Sequence, residues 1–142
     1  MRIKTFSTHH LVKGEDLNHH GTLFAGRGAE WFVEAGFVAA SHATAPERTV
    51  CLNIHGMVFN RPVKKGSIIR FDSKVVYTGR TSLVVYVRVV LSDSEDFVVD
   101  GFMTFIHVNE QGRPLTHGIQ VEAKDPEDIA LQERAKTLSK KP

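Results

Sequence analysis

The sequence predicts an α+β fold in which one long central helix is wrapped by a curved antiparallel sheet of five to six strands, followed by a C-terminal helix. Three observations predict it: an apolar stretch with few helix breakers near the N-terminus, segments with period-two alternation after it, and short turns between those segments. With 142 residues, 42% of them hydrophobic, the chain has the size and apolar content of one domain. Residues 1–142 are therefore predicted to form a single domain.

The predicted central helix lies in the stretch from Asn18 to Ser41, which begins as a polar, His-rich loop. Apolar side chains cover most of the circumference of this helix, so other elements must surround it. Its few polar residues share one arc of roughly 60°, at about 100° per residue. These residues are Arg27, Glu30, Glu34 and Ser41. The arc is either a solvated edge with an Arg27–Glu30 pair or a cleft that holds an acid for chemistry.

The other elements follow from alternation and turn signals. Strands are predicted over 3–12, 50–60, 68–77, 82–91 and 97–108. A C-terminal helix is predicted over 125–138, with Asp125 as N-cap and Pro126 in the first turn. A flexible tail is predicted at 139–142. Short turns between successive strands imply an antiparallel meander. In the strand at 82–91, Val84 and Val90 lie opposite the apolar row that begins at Leu83. We therefore expect another copy of the chain to cover the outer face of the sheet.

Composition excludes several classes of function. A formal charge of +2 is too small to indicate nucleic-acid binding. The single cysteine, Cys51, excludes an internal disulfide, and the pairs His9-His10 and His19-His20 lack the spacing of a metal site. Neither a signal peptide nor a membrane-spanning stretch stands out. We expect a cytoplasmic protein with no metal, no nucleic-acid partner and no membrane contact.

Four stretches, in this order, carry a resemblance to a known family. They are Asn18-His19-His20-Gly21-Thr22-Leu23-Phe24-Ala25-Gly26, Phe59-Asn60-Arg61-Pro62-Val63-Lys64-Lys65-Gly66, Gly79-Arg80-Thr81-Ser82 and Phe102-Met103-Thr104-Phe105. With them the chain resembles the hot-dog fold acyl-CoA thioesterases, in particular the broad-range acyl-CoA hydrolase branch. The resemblance implies hydrolysis of an acyl-CoA thioester, with no cofactor apart from the CoA of the substrate. It also implies a site between two subunits of a homo-oligomer, a dimer that assembles further into a tetramer or a hexamer.

The same resemblance assigns roles at the start of the helix. It places Asn18 beside the scissile thioester, and it places the backbone N–H groups of Ala25 and Gly26 at the thioester oxygen. A helix N-terminus does offer unpaired donors and a positive partial charge where an oxyanion develops.

The catalytic acid departs from the family pattern. In the family, an Asp or Glu usually stands seven residues after the second glycine of a Gly-Gly pair. The pair is Ala25-Gly26 here, and the seventh residue is Val33, which cannot activate water. The next residue, Glu34, lies on the polar arc of the helix, and we expect it to serve as general base or nucleophile, with Glu30 as the alternative.

Cations in two turn motifs are expected to bind the phosphates of CoA. The candidates are Arg61, Lys64 and Lys65 in one motif, and Gly79, Arg80, Thr81 and Ser82 in the other, where backbone and hydroxyl groups add to the arginine. His55 is expected to help shape the pocket. Because Val33 replaces the acid, a non-catalytic acyl-CoA-binding hot-dog protein is the second hypothesis. A hot-dog dehydratase is disfavoured because the His19-His20 loop lacks proline.

Overall fold

Five antiparallel strands and two α-helices make up the fold of this chain. The computed structural model describes residues 1–139. The elements are β1 (Phe6–Leu11), α1 (Ala25–Ala43), β2 (Thr49–Ile54), β3 (Ile68–Thr78), β4 (Ser82–Leu91), β5 (Phe97–His107) and α2 (Pro126–Ser139), with short 3-10 helices at Gly14–Asp16 and Pro46–Arg48. The strands form one sheet in the order β1-β3-β4-β5-β2. None of the helices described within residues 1–139 combines the length and the apolar composition that a membrane span requires.

Helix α1 packs on the inner face of the sheet, as predicted. Its buried residues, Gly28, Trp31, Phe32, Ala35, Gly36, Ala39 and Ala40, belong to one side of the helix. Gly36 permits close packing on β5, because a Cβ at this position would overlap the side chain of Met103. The chain does not surround the helix completely, however. Val33, Phe37 and Val38 remain half-buried and Glu34 is exposed.

The outer face of the sheet is covered by α2 of the same chain, so the expectation that another copy covers Val84 is wrong. Leu131 and Ala135 of α2 pack against a second apolar cluster on that face, which consists of Val76, Val84, Tyr86 and Phe102. The ammonium of Lys74 on β3 lies 2.6 Å from the Asp128 carboxylate of α2. Val90 is also buried within the chain. One chain therefore buries both faces of β4.

Three predicted strands extend beyond the observed ones, β5 by a single residue and the other two by more. β1 covers 6–11 rather than 3–12, and β2 ends at Ile54 although the apolar pattern continues to residue 60. Gly56 ends β2 because its φ of +122° takes the chain out of the strand conformation. Gly101 of β5 has no Cβ and so leaves room for the Gly56 carbonyl. The predicted flexible tail lies outside the described residues apart from Ser139, which ends α2.

The chain before α1 is anchored by a buried acid, Asp16. Its carboxylate accepts a hydrogen bond from the backbone N–H of Lys13 at 2.9 Å and lies 3.3 Å from the guanidinium of Arg27. Its carbonyl accepts the N–H of Phe24 at 2.8 Å. The expected Arg27–Glu30 pair also forms, at 3.5 Å. These contacts fix the position of the loop that contains Asn18 relative to the first turn of α1.

Candidate active site

A pocket of about 310 Å³ lies at the N-terminus of α1. The loop before the helix forms one wall and the segment 59–63, after β2, forms the other. The backbone N–H of Leu23 donates to the Val63 carbonyl at 2.8 Å, which joins the two walls. The pocket brings together three of the predicted site residues, Asn18, Ala25 and Arg61.

The side chain of Asn18 organises the loop. Its Oδ1 accepts hydrogen bonds from the backbone N–H groups of His20 at 2.9 Å and Thr22 at 3.2 Å. Its Nδ2 donates to the Thr22 hydroxyl at 3.1 Å. Gly21 takes a positive φ of 81°, which closes the turn. The amide is therefore held in one orientation at the wall of the pocket.

The first turn of α1 has free donors. The N-cap residue, Phe24, provides no side-chain hydrogen bond to the helix. Within residues 1–139, the backbone N–H groups of Ala25 and Gly26 donate to no acceptor, and both residues are exposed. A Cβ on Gly26 would come within 2.5 Å of the Phe24 ring, so glycine allows this ring to lie over the first turn. The two amides can stabilise a negative oxygen.

Glu34 lines a different part of the surface. With Val33, Phe37 and Val38 it forms one side of an open groove of about 530 Å³, and Thr8 and His10 of β1 form the other side. Glu34 follows Ala25 by nine residues, about 14 Å along the helix. Within one chain the structure therefore does not bring Glu34 and Asn18 together. Glu30 is exposed and paired with Arg27.

His10 is a groove residue that the sequence analysis did not select. Its ring stacks on Trp31, with centroids 4.2 Å apart and planes 7° from parallel, and it meets the edge of Phe71 at 5.5 Å. Burial lowers the pKa of His10, while the nearby Glu34 carboxylate acts in the opposite direction. In the sequence, only its adjacency to His9 could have drawn attention to His10 as a site residue, because the stacking on Trp31 depends on the fold.

The predicted CoA-binding residues fall into two separate groups. Lys64 and Lys65 are exposed beside the Asn18 loop, and Arg61 pairs with Asp96 at 3.3 Å. The turn Gly79–Ser82 lies at the other end of β3, whose 11 residues span about 36 Å. A single chain therefore does not assemble both groups around one ligand.

His55 lies in a third place. Its Nε2 is hydrogen-bonded to the Thr104 hydroxyl at 2.7 Å. It lines a pocket of about 520 Å³ between β5, residues 56–60 and α2, which adjoins the pocket of Asn18 only through Asn60. Among residues 1–139, no group of three or more His, Cys, Asp or Glu side chains is arranged to hold a metal ion.

Comparison with known proteins identifies the family. A family model described as "Thioesterase superfamily" matches residues 20–97, more than half of the chain. The chain belongs to the thioesterase superfamily. The match covers the Asn18 loop from residue 20 onward, the whole of α1 and the turn at Gly79–Ser82. The pocket, the free amides and the turn are thus features of a thioesterase-superfamily domain.

Curated relatives of this thioesterase-superfamily chain include two uncharacterized bacterial acyl-CoA thioester hydrolases. The protein from Zymomonas mobilis is 32% identical over 106 residues, which cover 68% of this chain and 67% of the relative. The protein from Bacillus subtilis is 24% identical over 104 residues, which cover 70% of this chain and 60% of the relative. The matched part of the chain thus spans 60% of the length of the Bacillus subtilis relative and 67% of that of the Zymomonas mobilis relative.

Solved structures of thioesterase-superfamily proteins share the fold. A mutant acyl-CoA hydrolase from Staphylococcus aureus has a TM-score of 0.84 and 25% identity, covering 94% of this chain and 83% of that one. A hexameric acyl-CoA thioesterase without ligand has a TM-score of 0.83 and 27% identity, covering 95% of this chain and 88% of that one. These similarities confirm the predicted hot-dog fold.

Proposed function

We propose that this protein hydrolyses the thioester of an acyl-CoA to a free acid and CoA. Water attacks the carbonyl carbon, the carbon–sulfur bond breaks, and the sulfur leaves as the thiol of CoA. The superfamily membership and the names of the relatives support this reaction class.

The observation that carries the proposal is the pair of free amides at the start of α1. Ala25 lines the pocket beside Asn18, and Gly26 is the next, exposed residue. Within residues 1–139 their N–H groups have no acceptor, so they can stabilise the negative charge that develops on the carbonyl oxygen of a thioester. In this proposal the Asn18 side chain orients the water or the acyl group. Because Glu34 of the same chain lies about 14 Å along α1 from Ala25, the Glu34 that acts on the thioester is proposed to be that of the second subunit. It takes the proton of the water, or attacks the carbonyl carbon directly to give an anhydride that water then hydrolyses.

The site is proposed to be completed by a second copy of the chain. Among the strands of residues 1–139, β2 pairs only with β5, so its other edge is open there. Two copies that pair along β2 about a two-fold axis run antiparallel, which places the Thr49 end of one strand beside the Ile54 end of the other. The turn Gly79–Ser82 lies at the Thr49 end, because the His107 N–H donates to the Thr81 carbonyl and His107 faces Thr49 in the ladder. The partner's turn then lies near the Asn18 pocket.

A second function, binding of acyl-CoA without cleavage, is favoured by one observation. Glu30 and Glu34 are both exposed, and neither lines the pocket of Asn18. A protein with the amides and Asn18 but without a base at the thioester would hold the ligand intact. Release of free thiol from a panel of acyl-CoAs by the purified protein separates the two functions.

The substitution Ala25→Pro tests the role of the amide. Proline removes the N–H but suits the first position of a helix, and Phe24 already has the extended conformation that a residue before proline adopts, with φ −65° and ψ 127°. Loss of one oxyanion donor typically lowers kcat by about 10²–10³. We expect a loss of this size in thiol release, with the Kd for CoA and the thermal midpoint close to those of the parent.

Ala25→Gly separates the amide from the side chain. This variant keeps the N–H, so its loss of rate should be much smaller than that of the proline variant. Equal kcat values for the parent and Ala25→Pro would contradict the assignment of this donor. A parent protein that binds CoA but releases no thiol would support the binding function instead.

A further inference from the structure

The turn Gly79–Ser82 is held from the inner side by residues after β5. The Arg80 carbonyl accepts the backbone N–H of His117 at 3.2 Å, and the Thr81 carbonyl accepts that of His107 at 2.7 Å. The Ser82 carbonyl accepts the N–H of Gly79 at 3.1 Å and also contacts the ring Nε2 of His117 at 2.9 Å. Three consecutive carbonyl groups are therefore engaged by the protein.

The ring of His117 has a defined tautomer. The backbone N–H of Ile119 donates to its Nδ1 at 2.9 Å, so Nδ1 carries the lone pair. The proton of the neutral ring is then on Nε2, which donates to the Ser82 carbonyl. One imidazole thus connects the segment at 117–119 to the last residue of the turn.

The other side of the turn presents donors to solvent. Within the described part of the chain, the backbone N–H groups of Arg80 and Thr81 have no acceptor. The Arg80 side chain is exposed and forms no ion pair with residues 1–139, and the Thr81 hydroxyl forms no hydrogen bond with them. Successive backbone N–H groups that have no acceptor, in a turn whose carbonyls are already engaged, can form an anion-binding nest.

We propose that His117 is a positioning residue for the phosphate groups of CoA. The ring of His117 holds the Ser82 carbonyl, and its backbone N–H holds the Arg80 carbonyl. These two contacts keep the amides of Arg80 and Thr81 turned toward the ligand. The inference rests on the proposed function, because it takes CoA as the ligand of the turn. It adds a residue that lies 35 positions after the turn and outside the four stretches that resemble the family.

Two substitutions at His117 test this role by titration of the protein with CoA. His117→Ala removes both ring hydrogen bonds. In His117→Asn the side-chain amide can still accept from Ile119, but it is too short to reach Ser82. Loss of a hydrogen bond that orients the turn should raise the Kd for CoA about tenfold in both variants. His117→Gln, whose longer amide can donate to Ser82, should recover part of the affinity. His9→Gln is the matched control, because it replaces an exposed histidine of β1 that does not contact the turn.

Hydrolysis of two substrates separates positioning from a general effect on the fold. With an acyl-CoA, His117→Asn should raise KM about tenfold and leave kcat within about twofold. With the corresponding acyl-pantetheine thioester, which has no phosphate groups, both constants should match the parent. An unchanged Kd for CoA, or an equal loss with both thioesters, would overturn the inference. If the parent itself bound no CoA, the proposed function would fail, and this inference with it.

Discussion

At the scale of single residues, the position of Glu34 decides how the reaction proceeds. We expect Glu34→Gln to lower thiol release by about 10²–10⁴, because the carboxamide keeps the size of the side chain but cannot accept a proton from water. The same substitution should lower the pKa of His10 further, since it removes the charge that favours the imidazolium. An acyl-CoA assay and an NMR titration of the His10 ring measure the two effects.

The comparison variants for this test lie elsewhere on the chain. Glu47→Gln changes an exposed carboxylate in a 3-10 helix and controls for net charge. Glu30→Gln tests the alternative acid. Loss of activity in Glu30→Gln with full activity in Glu34→Gln would show that the assignment of Glu34 is wrong. The NMR titration of His10 does not depend on catalytic activity. An unchanged His10 pKa in Glu34→Gln would contradict the placement of His10 and Glu34 in one groove.

Local motifs were predictable at this scale, but contacts between distant residues were not. The hydrogen bonds of Asn18 span only residues 18–22, so the motif itself predicts the loop. The pairing of Asp16 with Arg27, the stacking of His10 on Trp31 and the bond from His117 to Ser82 join residues far apart in sequence. Such contacts depend on how the elements pack, which alternation and spacing do not specify.

At the scale of elements, α2 covers the outer face of the sheet and should contribute measurably to the free energy of unfolding. Leu131 is only 6% exposed, whereas Ile129 on the same helix is 46% exposed. We expect Leu131→Ala to lower the free energy of unfolding by about 2–3 kcal/mol through lost burial and a cavity. Ile129→Ala should cost about 0.5 kcal/mol or less. Urea unfolding of both variants checks the pair, and similar losses would contradict the packing of α2 on the sheet.

The strand prediction succeeded where alternation reflects one-sided burial. β4 has the predicted bounds, and the row from Leu83 faces the core. The end of β2 was missed because a single backbone conformation, at Gly56, outweighs an apolar pattern. The sequence did not predict that α2 packs on the outer face of the sheet, because this helix is largely polar and buries few residues, Leu131 and Ala135 among them. Besides these apolar contacts, α2 is attached through Lys74–Asp128 and through Gln132, whose side chain donates to the Val76 carbonyl at 3.0 Å.

At the scale of the whole molecule, the open edge of β2 is the surface on which the proposed composite site depends. Val50, Leu52 and Ile54 are exposed although they belong to a strand, and Leu52 is 66% exposed. A strand edge with exposed apolar residues favours pairing with another strand, and lysine on such an edge opposes it.

Leu52→Lys should therefore dissociate the subunits that pair along β2. Light scattering after size exclusion should show a smaller species than the parent, and thiol release should fall with it, because the partner's turn no longer faces the Asn18 pocket. Leu11→Lys is the matched control: Leu11 is 51% exposed on β1, the opposite edge of the sheet. If Leu52→Lys kept the parent mass and rate while Leu11→Lys lost both, the subunits would pair along β1. The two cationic groups, which lie at opposite ends of β3 in one chain, would then need a different arrangement to meet one CoA.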